Sequence, residues 1–220
     1  MPGVPGRSRG RSNLTLISAF VLMFGVCWLA TRLAAEDIAM VLASAEQDIL
    51  RHPGTPSAGS ADPDIVVVEY FDYNCSYCKQ LNPVLTVLLE SDKKVELVYK
   101  EWPILSDTSK YAAELALTSV WQGKYAAAHD ALMRAPHLSS HLQIESLLRN
   151  AGIDMQTLER DRAMHGGEIR AILQRNDAEA AGVGIRGTPG LLIGRHVVNL
   201  SGVYQLAGLR QAVADARRNP

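Results

Sequence analysis

Three kinds of hydrophobic pattern follow one another along this chain. Leu14 to Ala30 is a stretch of 17 residues without a charge, preceded by a Pro-, Gly- and Arg-rich segment carrying Arg7, Arg9 and Arg11. At 1.5 Å per residue a helix over that stretch covers roughly 25 Å, the short end of a bilayer span. From 36 to 51 the pattern becomes amphipathic, with Ile38, Val41, Leu42, Ala45, Ile49 and Leu50 on one side of a predicted helix. His52 to Pro63 is a linker by composition and sets the start of the folded domain near residue 62.

Beyond the linker the periods of a mixed fold alternate. Ile65 to Phe71 is a β-branched, apolar run that reads as a buried strand. A helix follows, with Asn74 as its expected N-cap and Leu81, Val84, Leu85 and Leu88 at helical spacing. Residues 94–103 read as a second strand closed by Pro103. Helices are then predicted over 108–122, 124–134, 140–151, 155–164 and 167–181, with breaks at Gly123, Pro136, Gly152 and Gly166-Gly167. Two short strands, 187–194 and 196–200, form a hairpin around Gly194-Arg195, and a helix over about 203–217 ends the chain.

This order predicts an α/β, thioredoxin-like fold with an inserted helical subdomain, preceded by an N-terminal hydrophobic helix. The first two strands are expected to be joined by a parallel crossover. The expected domains are 1–35, a signal peptide or membrane anchor; 36–61, helix and linker; and 62–220, with the insertion over about 107–182.

Composition narrows the function. The net charge is −1 with only 22 basic residues, which gives no footing for nucleic-acid binding. Three cysteines, Cys27, Cys75 and Cys78, exclude a multi-disulfide framework. Cys27 lies in the apolar leader, and the bulky Val26 before it argues against a lipoprotein acceptor. No small-residue cleavage site follows the leader, so an uncleaved anchor is expected, with the arginines holding the N-terminus in the cytoplasm. Anchored or cleaved, the remaining chain lies in an oxidising compartment.

Cys75-Ser76-Tyr77-Cys78 stands where the first strand hands over to a helix. Unpaired N–H groups and the helix dipole favour a thiolate there. Cys75 is therefore the expected nucleophile, at the exposed helix start, and Cys78 the more buried resolving thiol. A zinc site is disfavoured because no second Cys or His pair stands at suitable spacing; His137 and His141 follow Pro136 without an acidic partner set. Trp102 and Trp121 read as core.

Val68-Glu-Tyr-Phe-Asp-Tyr-Asn-Cys-Ser-Tyr-Cys78, the helical insert and Gly184-Ile-Arg-Gly-Thr-Pro189 together resemble the DsbA-like thiol–disulfide oxidoreductases of bacterial envelopes, over roughly residues 60–215. The resemblance implies a thioredoxin domain with a helical insertion that forms or shuffles disulfides in exported proteins. It implies a cis Thr188-Pro189 peptide facing the dithiol, with the Thr188 backbone open to an extended substrate. It implies an acid–base pair, Glu69 and Lys100, beneath the dithiol. Ser76 and Tyr77 are expected to tune the redox poise, while Tyr77 and Thr188 also occur on the isomerase or reductase side of the family. Asp72 and Tyr73 read as structural or substrate-rim residues.

The leading expectation is an enzyme that introduces or exchanges disulfides through the dithiol, needing no metal or organic cofactor. The expected partners are reduced or unfolded exported proteins and a membrane or soluble partner that resets the dithiol. The alternative is an oligomeric isomerase or reductase, with self-association through 36–52. A third, a non-enzymatic tethered adaptor, fits poorly with the retention of both cysteines and the Thr-Pro turn. The expected location is the periplasm, tethered through 14–30 or released after cleavage.

Overall fold

Burial of Ile65 to Phe71 on both faces organises the molecule. The computed structural model describes residues 54–219 and the single position Arg32. The apolar leader, Cys27 and the amphipathic 36–51 segment lie outside the described residues. Among the described residues no helix is long and apolar enough to cross a membrane.

Strand β1 (Ser57–Gly59) precedes β2 (Ile65–Phe71), helix α1 (Ser76–Ser91) and β3 (Val95–Glu101). Four helices follow: α2 (Asp107–Thr118), continued by a 3-10 turn over Ser119–Gln122, then α3 (Tyr125–Arg134), α4 (His141–Asn150) and α5 (Met155–Gly182). The chain closes with β4 (Gly190–Ile193), β5 (His196–Val197) and α6 (Leu206–Arg218). The sheet order is β1-β3-β2-β4-β5, with β2 and β3 parallel and the other pairs antiparallel. This is the thioredoxin-like arrangement, with the helices of 107–182 inserted between β3 and β4.

All seven residues of β2 are buried because helices cover both faces of the sheet. On one face Val67, Leu97, Leu191 and Ile193 pack against Leu81, Leu85 and Leu88 of α1 and Leu209 and Val213 of α6. On the other, Val66, Val68, Tyr70, Val98 and Leu192 meet Ala180 at the end of α5, together with Trp102 and Ile185. Apolar burial of this kind contributes about 25 cal/mol per Å². Phe71 and Tyr73, at the end of β2, join the core of the insertion around Leu115, Leu132 and Leu148.

Several expectations are corrected. A three-residue edge strand, β1, forms within the segment read as linker, pairing Ser57 with Val98 and Gly59 with Glu96. Gly59 takes φ +99°, and a Cβ there would meet the Val95 carbonyl at 2.5 Å. The helix predicted over 108–122 stops at Thr118, and the turn after it closes at Gly123 with φ +66°. The break expected at Gly166-Gly167 is absent, and α5 runs unbroken for 28 residues. Glycine costs about 1 kcal/mol relative to alanine inside a helix, too little to end one that starts on a strong cap. Asp154 supplies that cap, accepting from the Thr157 N–H at 2.7 Å. Trp121 is not core: it is 40% exposed and stacks on His165. Trp102 is buried, donating Nε1–H to Asp177 Oδ1 at 2.8 Å.

Candidate active site

The turn between β2 and α1 places a sulfur at the helix start. Cys75, rather than Asn74, is the N-cap residue of α1, with no side-chain capping bond of its own. Cys78 lies one turn further on and is wholly buried, and both are free thiols. Cys75 is itself only 6% exposed, more enclosed than the exposed helix start expected of it. Ser76 and Tyr77 between them face solvent, and the Tyr77 ring rests near that of Tyr204, 5.9 Å between centroids.

Across from the dithiol runs the loop before β4. Its Thr188-Pro189 peptide is cis. The Cys75 thiol donates to the Thr188 carbonyl oxygen at 3.2 Å. Thr188 is half-buried and Pro189 buried. The two motifs, 113 residues apart in sequence, thus meet at one sulfur.

The two thiols have opposite electrostatics. Cys75 is drawn down to about 6, chiefly by its hydrogen bond with the Cys78 thiol, against the cost of burial. The Thr188 side chain and the Cys78 and Tyr77 N–H groups assist. Cys78 is pushed far above the usual thiol range by burial first, then by its bond to Cys75 and the charge of Glu69. The environment favours the charged form at Cys75 and the neutral thiol at Cys78.

Glu69 lies beneath them, fully buried, and neither carboxylate oxygen has a hydrogen-bond partner. Burial, then the negative charge of Cys75, raises its pKa to about 8. The expected pairing with Lys100 does not form. Parallel register sets Glu69 opposite Tyr99 and Tyr70 opposite Lys100. The one-residue offset turns the two side chains to opposite faces. Lys100 instead binds Glu179 of α5, Nζ to Oε2 at 2.8 Å, on the far side of the sheet.

Two features around the dithiol were not read from sequence. Lys79, next to Cys78, donates to the carbonyls of Leu132 and Met133 at 2.9 and 3.4 Å, closing the C-terminal end of α3. Burial lowers its pKa to about 8. Tyr73 and Tyr125 both donate to Glu101 Oε1, at 2.8 and 2.9 Å, and Tyr73 Oη lies 3.1 Å from His129 Nδ1. Burial keeps Glu101 well above the carboxylate range and His129 down near 3, so this cluster is neutral. Asp72, wholly buried, is structural rather than rim: it accepts from the backbone N–H groups of Asn74 and Leu105.

Residues 66–214 match the DSBA-like thioredoxin domain family. The chain belongs to that family. Members of that DsbA-like thiol–disulfide oxidoreductase class carry electrons on a redox-active disulfide rather than on an added cofactor. Among solved structures it is similar to a thioredoxin-like oxidoreductase from Silicibacter pomeroyi, 35% identical, covering 78% of this chain and 97% of that one with a TM-score of 0.73. A periplasmic thioredoxin-like protein from Salmonella enterica is 26% identical, covering 79% and 97%, TM-score 0.65. The disulfide-exchange protein α-DsbA2 from Wolbachia pipientis, at 24% identity, covers 83% of this chain and 97% of its own with a TM-score of 0.72, and shares the fold. In sequence the DsbA-like chain is also 31% identical over 203 residues to the Na(+)/H(+) antiporter NhaA 3 of Salinispora tropica, covering 86% of this chain and 29% of the antiporter. It thus spans less than a third of the curated relatives it matches.

Proposed function

We propose that this DsbA-like protein introduces or exchanges disulfides in exported proteins through Cys75 and Cys78. The observation that carries the reading is the asymmetry of the two thiols. Cys75, near 6 at the helix start, is a good leaving group, whereas Cys78 is sealed and neutral. In the oxidised protein a client thiolate attacks the Cys75 sulfur. A client–Cys75 disulfide forms, and the Cys75–Cys78 bond breaks, with Cys78 leaving and taking a proton. A second client thiolate then attacks the client sulfur of the mixed disulfide and releases Cys75 as a thiolate. The client loses two electrons and the dithiol gains them.

Glu69 is the group suited to supply that proton, being buried beside the thiols with a pKa of about 8. Thr188 presents its half-buried backbone to the bound client, and Pro189 behind it holds the loop against Cys75. Tyr77, 58% exposed, offers an apolar face beside the nucleophile, and Ser76 lines the same edge. The reaction belongs on the outer side of the cytoplasmic membrane, with residues 14–30 as tether or cleaved leader. A membrane or soluble partner reoxidises the dithiol there.

An isomerase or reductase is the second reading, favoured by one observation. A nucleophile near 6 lies between a strongly oxidising DsbA, about 3.5, and thioredoxin, about 7. Self-association through 36–52 would accompany an isomerase. Equilibration of the full chain with glutathione separates the readings. A potential near about −120 mV marks a disulfide donor, and one near about −270 mV a reductase, which would overturn the proposal. Cys75→Ser abolishes exchange in either case.

A further inference from the structure

Cys75 caps α1 without a side-chain capping bond, so its placement leans on the residues before it. Asn74 uses its whole carboxamide for that purpose. Nδ2 lies within hydrogen-bond distance of Ser106 Oγ at 3.0 Å, Thr108 Oγ1 at 3.0 Å and the Leu138 carbonyl at 3.2 Å. Oδ1 accepts from the Leu138 N–H at 2.8 Å. Asn74 therefore pairs with Leu138 in both directions, as one peptide group pairs with another, while also reaching the first turn of α2. Aspartate lacks the donors and leucine lacks both functions, so the junction calls for a carboxamide of this length.

The same turn is held a second time through Asp72. Its Oδ1 accepts from the Asn74 N–H at 2.7 Å and its Oδ2 from the Leu105 N–H at 2.9 Å. Of the two loops gripped in this way, one leads into the helical insertion at α2 and the other lies within it, between α3 and α4. On the opposite side the Cys75 sulfur meets Thr188. The geometry points to Asn74 as a positioning residue through which the insertion aims the Cys75 sulfur at the helix N–H groups and the Thr188 loop. This assignment rests on the reading of Cys75 as the nucleophile and adds a role for the insertion: through Asn74 it sets the reactivity of the sulfur.

The test uses the full chain in reduced form, with Asn74→Ala, Thr108→Val and the double variant. Thr108 lies 34 residues from Asn74, and its loss leaves the Ser106 cap of α2 in place. Cys78 is buried, and mapping the alkylated peptide separates Cys75 from Cys27, so iodoacetamide alkylation read at that peptide reports Cys75. Asn74→Ala is expected to raise the pH of half-maximal alkylation and to slow mixed-disulfide formation at pH 7 about tenfold, the scale of one or two hydrogen bonds. Thr108→Val is expected to act in the same direction, about threefold. The double variant should be slower than Asn74→Ala by less than the threefold of Thr108→Val alone, since the two residues meet at one junction and Thr108 keeps only its own bond to the Leu138 carbonyl, 2.8 Å, when Asn74 is lost.

A lowered melting temperature with an unmoved alkylation profile would mean a plain packing role and overturn the assignment. So would full additivity of the two substitutions. If Asn74→Ala does not fold, an unmoved profile in Thr108→Val alone overturns it. Failure of the wild-type chain to exchange disulfides would instead strike the dithiol reading, since the alkylation profile can be read without a client.

Discussion

Glu69 and Lys100 stand on neighbouring strands, one residue out of step, and point to opposite faces of the sheet. The carboxyl lies under the dithiol without a partner, and the ammonium is bound to Glu179 behind the sheet. Two charges that look like a pair in sequence are therefore two independent problems of burial, and they separate by mutation.

Glu69→Gln should stabilise the protein in a pH-dependent way. The folded pKa, about 8, lies above the ordinary 4.5, so the folded state holds a proton that the unfolded chain releases between those values. The stability due to this group is present below pH 4.5 and is lost as pH rises towards 8. The variant minus wild-type difference in unfolding free energy should therefore grow across that window and level off above it. Urea unfolding at several pH values measures it. A flat difference would mean that Glu69 is not held protonated. The pH dependence of disulfide exchange should change in the same variant, as expected of a proton donor to Cys78.

Lys100→Met should cost about 3 kcal/mol, because it leaves Glu179 largely buried, with Arg175 at 3.5 Å as its remaining cation. Denaturant unfolding reads this directly. The exchange profile with pH should keep its shape, and a shifted profile would restore a link between Lys100 and the dithiol.

Cys78→Ala should raise the Cys75 pKa from about 6 towards the usual 9, by roughly one unit or more, because the Cys78 thiol is the largest contributor to its depression. Cys78→Ser keeps a donor at that place and should shift it less. Thiolate absorbance near the ultraviolet edge, titrated in each variant, gives the comparison. No shift in either variant would assign the depression to the helix N–H groups instead.

Tyr73→Phe removes one of the two donors to Glu101 Oε1 in a fully buried cluster and should cost about 1 kcal/mol. Because the cluster is neutral, that loss should be the same at pH 6 and pH 8. A loss that grew with pH would show Glu101 ionising inside the fold.

The sequence by itself determined the order of the main strands and helices, the dithiol at a strand-to-helix junction and the separate Thr188-Pro189 turn. Each is a local matter. A β-branched apolar run, apolar positions three and four apart, and two cysteines a turn apart all act within a few residues. The tertiary structure alone decided what depends on register and distance. The parallel register of β2 and β3 separated Glu69 from Lys100. The packing of the insertion brought Ser106, Thr108 and Leu138 to Asn74, and so moved the helix cap one residue on to the sulfur of Cys75. A one-residue offset changes the face of every side chain on a strand while hardly altering its hydrophobic pattern, and hydrogen bonds spanning 32 to 64 residues leave no local period to read.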